Sequence, residues 1–250
     1  MFPVTYILVK GVAEMETYSD FLERINKFEK PELDISESDF HPHAELGAKC
    51  CADGSFRKFY GDTVVFGLKH KVREKFGELI DELYEKAPEC FSEKLNKNTI
   101  HMTLHDLSAS DDIGEVSGDV FMNEVKLLEV LKDSPVKDCT IKMKTNAVIN
   151  LVSKSLVMAL VPCDEEEWNK LQELYELINQ VRVCPYPFLT PHVTLAYFNV
   201  NGFEEKSVKK LKKIVEKMNE NSFEVILHTD RLHYQHFYSM NDYRNIFSLV

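Results

Sequence analysis

Two short segments share one pattern: Thr99-Ile-His101-Met-Thr103-Leu104, and Thr190-Pro-His192-Val-Thr194-Leu195. An imidazole titrates near neutral pH, so in a pair one ring can accept a proton while the other donates one. A threonine hydroxyl beside each ring can hydrogen-bond a non-bridging phosphate oxygen. Together they suit cleavage of a phosphodiester. A base deprotonates an attacking hydroxyl or water, an acid protonates the leaving oxygen, and no metal or other cofactor is required.

Such chemistry needs all four side chains in one place. In a strand, alternate residues share a face. His101 with Thr103, and His192 with Thr194, therefore stand side by side, while Met102, Leu104, Val193 and Leu195 point into a core. His105 continues the His101 face where the second copy has Ala196, which makes it a further candidate to touch substrate. Thr99 and Thr190 join the same face if their strands reach back that far.

The elements around the two motifs repeat. "DTVVFGLKH" (62–70) reads as a strand, and Val72, Phe76, Leu79, Ile80 and Leu83 fall at helical spacing up to Pro88. The first motif strand follows (98–107), then a helix around Val125, Leu128 and Leu131. After strand-like runs at 139–152 and 155–162, Asp164 and Glu167 resemble a capping box. They open a helix whose apolar face is Trp168, Leu171, Tyr175 and Ile178. The second motif strand (188–198) and a helix marked by Val208, Leu211, Val215 and Met218 complete the copy. This order points to a tandem duplication and to two lobes related by a pseudo-twofold axis.

The doubled His-x-Thr-Leu resembles the two-histidine (2H) phosphoesterase superfamily, which includes the 2′-5′ RNA ligase-like proteins and cyclic nucleotide phosphodiesterases. The resemblance covers roughly residues 62–250, and "DGSFRKFYGDTVVFGL" (53–68) is similar to the entry into the first strand of one branch. It implies a bilobal α+β fold with two antiparallel sheets flanking a central cleft and helices outside. It also implies His101, Thr103, His192 and Thr194 as the functional residues. In relatives the second histidine is often assigned to the nucleophile and the first to the leaving group.

Residues 1–61 read as an extension laid over the 62–250 domain, beginning with a strand ("MFPVTYILVKG") and an amphipathic helix ("METYSDFLERINKFEK"). The chain has 250 residues, 44% of them hydrophobic, enough for a substantial core. Its formal charge is −11, and proteins that grip long nucleic acids usually present a basic field. A small nucleotide or short oligonucleotide is the expected partner, with no membrane and no long nucleic acid, and the chain is expected to be a monomer. The six cysteines form no C-x-x-C pair, and no basic export segment precedes the apolar start. Reduced thiols in a cytoplasm are the expectation.

Other features read blandly. "HPH" at 41–43 is a turn, and "KKLKKIVEK" (209–217) is a solvated basic face. Tyr234 and Phe237, interleaved with tail histidines, are candidates to stack a base at the cleft rim. The function expected is a metal-independent phosphodiesterase acting on a 2′,3′-cyclic phosphate, a 2′-5′ linkage or a similar small ester. The alternatives are an RNA end-processing enzyme (3′ trimming or 2′-5′ ligation) and a non-catalytic nucleotide-binding module.

Overall fold

The computed structural model describes residues 16–26, 33–183 and 188–250. The strand expected at the very start of the chain lies outside these residues, as does Cys184. A short helix, α1 (Tyr18–Asn26), comes first. Then β1 (Tyr60–Gly67), α2 (His70–Lys86), β2 (His101–Ser110) and α3 (Ile113–Asp133) form one unit. After β3 (Thr140–Leu151), the order repeats as β4 (Ser155–Pro162), α4 (Glu165–Asn179), β5 (His192–Tyr197) and α5 (Glu205–Asn219). Three strands close the chain: β6 (Glu224–His228), β7 (Leu232–Ser239) and β8 (Asp242–Ser248). The repeat of strand, helix, motif strand, helix is the one read from the sequence.

The arrangement of the strands differs from the expectation of two sheets. The eight strands of the described residues form a single antiparallel sheet, strongly curled, in the order β6-β3-β4-β5-β2-β1-β7-β8. The two motif strands are the inner edges of the two halves, and they pair where Met102 stands opposite Val193. An inner edge left bare would present unpaired backbone groups to its twin. The shared rung joins the halves into one sheet.

Local sequence explains most of the helices. On α2, Phe76, Ile80 and Leu83 are fully buried, and the helix ends before Pro88. Asp164 caps α4 by accepting from the Glu167 amide. The capping box is only half formed, because the Glu167 carboxylate accepts from the Lys142 amide on β3 instead. On α3 the buried residues are Val116, Asn123 and Leu127, and Phe121, Met122, Val125 and Leu128 are exposed. A polar contact fixes that phase: Asn123 donates to the buried carboxylate of Asp62 (3.0 Å) and to Ser108 (2.7 Å).

Nine residues are too few for a helix to be stable alone, so α1 depends on what it packs against. Phe21 and Ile25 are fully buried against Trp168 and Val161. The Phe21 and Trp168 rings stack at 4.2 Å between centroids. Each such burial stabilises by about 2 kcal/mol.

Candidate active site

The Met102–Val193 rung sets the site. Both residues are buried in the core, so their neighbours His101, Thr103, His192 and Thr194 stand on the opposite, cleft-side face. All four are half-buried. The strands supply two imidazoles and two hydroxyls on one face, across one antiparallel pair.

Each imidazole is tethered in the same way. Nδ1 of His101 lies 2.6 Å from the carbonyl oxygen of Thr99, and Nδ1 of His192 lies 2.8 Å from that of Thr190. A carbonyl can only accept, so Nδ1 carries the hydrogen in both rings. That fixes the neutral tautomer and leaves a lone pair on Nε2. Neither Nε2 nor either motif hydroxyl, of Thr103 or Thr194, has a hydrogen-bond partner among the described residues. Thr99 itself sits in a 3-10 turn (Lys97–Thr99) rather than on the strand. Its contribution is a backbone carbonyl.

Both motif strands then break the alternation at the same step. Val65 pairs with Thr103 while Val64 pairs with His105, so β2 carries an extra residue at Leu104. Val157 pairs with Thr194 while Leu156 pairs with Ala196, so β5 carries one at Leu195. Such a bulge turns the following side chains over. His105, expected beside His101, is therefore on the core side. It is 1% exposed, with Nε2 2.7 Å from Asn179 Oδ1 on α4 and Nδ1 2.8 Å from the Asp106 carbonyl. The same step carries Asp106 and Tyr197 onto the cleft face, at equivalent places in the two copies. Nothing in the alternation of the sequence marks these two residues.

Aromatic side chains line the lobe that holds His101. Tyr243 on β8 meets the His101 ring edge-on at 4.9 Å. Phe237 stacks on Phe59 and tilts against Tyr243. Gly61 makes room for it, since a Cβ there would come within 2.4 Å of the Phe237 ring and 2.0 Å of the Ser108 carbonyl. The Lys49 ammonium lies over the rings of Phe59 and Tyr197 at 5.1 and 5.5 Å. The Tyr197 hydroxyl donates to the Met240 sulfur at 3.0 Å. Tyr234, expected at the rim, is instead fully buried beneath α3, where its hydroxyl donates to Asp62.

Burial pushes both imidazoles below the usual histidine value of 6.5. The carbonyl tethers and the Asp106 carboxylate pull both partly back up, and charge on His192 pushes His101 further down. The rings therefore disfavour two protons together. Burial, with Asp106 nearby, raises both Tyr197 and Tyr243, so these phenols stay protonated.

Among the described residues, no group of three or more His, Cys, Asp or Glu is placed to hold a metal ion. No helix among them is long and apolar enough to cross a membrane. The basic residues of α5 gather with α2, where Lys86, Lys210, Lys213 and Lys217 surround Ile214. Lys210 pairs there with Glu89, and Lys86 with Glu82.

No family model and no curated protein matches the chain. Solved structures do. A conserved protein of unknown function from Agrobacterium tumefaciens strain C58, ATU0111, superposes with a TM-score of 0.67 at 14% identity, over 84% of this chain and 94% of that one. That likeness is one of fold. Escherichia coli LigT complexed with NADP+ gives 0.42 at 16% identity, over 75% and 94% of the two chains. TT0787 of Thermus thermophilus gives 0.42 at 13% identity, over 74% and 94%.

Proposed function

We propose that this chain is a two-histidine phosphoesterase that cleaves a small phosphodiester, a 2′,3′-cyclic phosphate or a 2′-5′ linkage, by acid–base catalysis. One observation carries the reading: two histidines on adjacent strands, each held through Nδ1 by the carbonyl two residues earlier. A core histidine has no need of an unpartnered Nε2, and still less of a duplicate.

The reaction follows from that geometry. The substrate phosphate lies on the cleft-side face over the paired strands, with Thr103 and Thr194 donating to its non-bridging oxygens. One Nε2 takes the proton of the attacking hydroxyl or water as the new P–O bond forms. The other imidazole, protonated, gives its Nε2 proton to the leaving oxygen as the old P–O bond breaks. The proton count is restored when the two rings exchange one proton through solvent. Mutual repulsion limits the pair to one proton, and the phosphate anion favours that singly protonated form. The direction of attack assigns which ring is base and which is acid.

The test is turnover of a panel of 2′,3′-cyclic nucleotides and 2′-5′ linked dinucleotides, with and without EDTA. Hydrolysis of at least one, undiminished by chelation, is the expected result. Catalytic efficiency should stay flat or fall as 2′-5′ oligonucleotides lengthen, with a log–log salt slope of about one, for one phosphate contact. No turnover across the panel, or turnover restored only by added metal, refutes the reading.

A further inference from the structure

We infer that Arg24, on the short helix α1, is a positioning residue for His192. The effect on turnover rests on the phosphoesterase reading; the effect on the ring itself does not.

The carbonyl that tethers His192 belongs to Thr190, in the loop entering β5. Arg24 grips that loop twice, donating from Nη1 to Thr190 Oγ1 at 2.9 Å and from Nη2 to the Leu189 carbonyl at 2.8 Å. The guanidinium is itself held. Glu16 accepts from its Nε at 2.6 Å and from its Nη2 at 2.8 Å, and the Glu16 side chain is only 5% exposed. The guanidinium also lies over the Phe21 and Phe188 rings, 5.5 Å from each centroid. A planar fork with fixed donor directions holds two acceptors where a lysine would hold one.

The anchorage continues into the lobe. Glu16 accepts from the Trp168 indole through its carbonyl at 3.1 Å, and Tyr18 donates to the Pro162 carbonyl at 3.0 Å. Val161, against which α1 packs, stands two residues beyond Ala159, the partner of His192 on β4. The helix thus covers the face on which His192 stands.

The first copy has no such clamp among the described residues. Thr99 donates its hydroxyl to the Asn96 carbonyl within its own turn. The second copy enters its strand from a loop beside Pro191 and borrows its rigidity from a helix 166 residues away in sequence. That gives part of the segment before the duplicated domain a definite task.

The experiment compares Arg24→Gln, Arg24→Lys and Thr190→Val with the wild-type chain, by 15N NMR of the histidine rings at a pH where both are neutral. In the wild type, His192 should show one tautomer, with hydrogen on Nδ1. In Arg24→Gln its two ring nitrogens should move toward averaged values while those of His101 stay in place, which also reports an intact fold. Arg24→Lys should fall between, and Thr190→Val should shift His192 in the same direction by less. With a phosphodiester substrate, Arg24→Gln should lower kcat by up to about 100-fold with KM little changed, as a displaced catalytic group does. An unaltered His192 tautomer in Arg24→Gln overturns the inference, whatever happens to turnover. A shifted tautomer in a chain that hydrolyses no member of the panel upholds Arg24 and rejects the phosphoesterase reading instead.

Discussion

Asp106 and Tyr197 occupy the same position in the two copies, each three residues past its motif threonine and each carried to the cleft face by the same bulge. An acid therefore stands in one lobe where a phenol stands in the other. The site is symmetric in its histidines and asymmetric in what flanks them.

That asymmetry has a measurable effect on the pH profile. The Asp106 carboxylate raises both imidazoles against the lowering caused by burial. In the wild type, both limbs of the kcat/KM profile should lie below 6.5, because burial wins in the free protein. Asp106→Asn should move both limbs further toward acid. Limbs that stay put in the variant would show that the carboxylate is screened from the rings.

His101→Ala and His192→Ala should each cost several orders of magnitude in kcat with the fold preserved, since acid and base act as one unit. Thr103→Ala and Thr194→Ala should cost less, about 10- to 1000-fold, as the loss of a single oxyanion donor does. Steady-state kinetics with circular dichroism as a fold control decides it, and near-normal turnover by either histidine variant rejects the assignment.

His105 should behave as a structural residue. Its ring is buried between β2 and α4 against Asn179. His105→Ala removes the ring from that amide and should cost about 1–3 kcal/mol in urea unfolding. Per folded molecule, kcat and KM should not change.

Asp62 should make stability depend on pH in the unusual direction for a carboxylate. Burial raises it from 3.8 to about 6, although Asn123, Tyr234 and Ser108 hydrogen-bond it. The folded chain holds this proton more tightly than the unfolded one. Its contribution is therefore full below about 3.8 and is lost as pH rises through about 6. A shift of about two pKa units corresponds to about 3 kcal/mol. Urea titrations between about pH 4 and pH 7 should show Asp62→Asn gaining on the wild type by up to that amount. A constant difference across the range would refute it.

How much of this was legible in the sequence depends on how local each signal is. The doubled motif and the repeated order of elements are written in residue types and spacings, and both are present in the fold. Strand alternation placed His101 and Thr103 correctly and failed two residues later. A bulge at Leu104 depends on how β2 pairs with β1, and no single strand records its partner's register. The same blindness hid Asp106 and Tyr197. On α3 the apolar spacing identified a helix but not its phase, because Asn123 and Asp62 take the buried side from Phe121 and Leu128. The grip of Arg24 on Thr190 joins residues so distant along the chain that no spacing could announce it.

The Met102–Val193 rung works as a gauge. β2 and β5 share one paired position, and helices brace that joint crosswise, α2 packing against β5 and α4 against β2. The gap between the imidazoles is therefore set by the width of that joint, as a spacer sets the opening of a pair of jaws. Backbone pairing fixes that width, and the buried Met102 and Val193 side chains, packed in the core, hold the joint in place. A change in the core packing behind the joint can then alter how the two rings face each other while leaving both motifs intact.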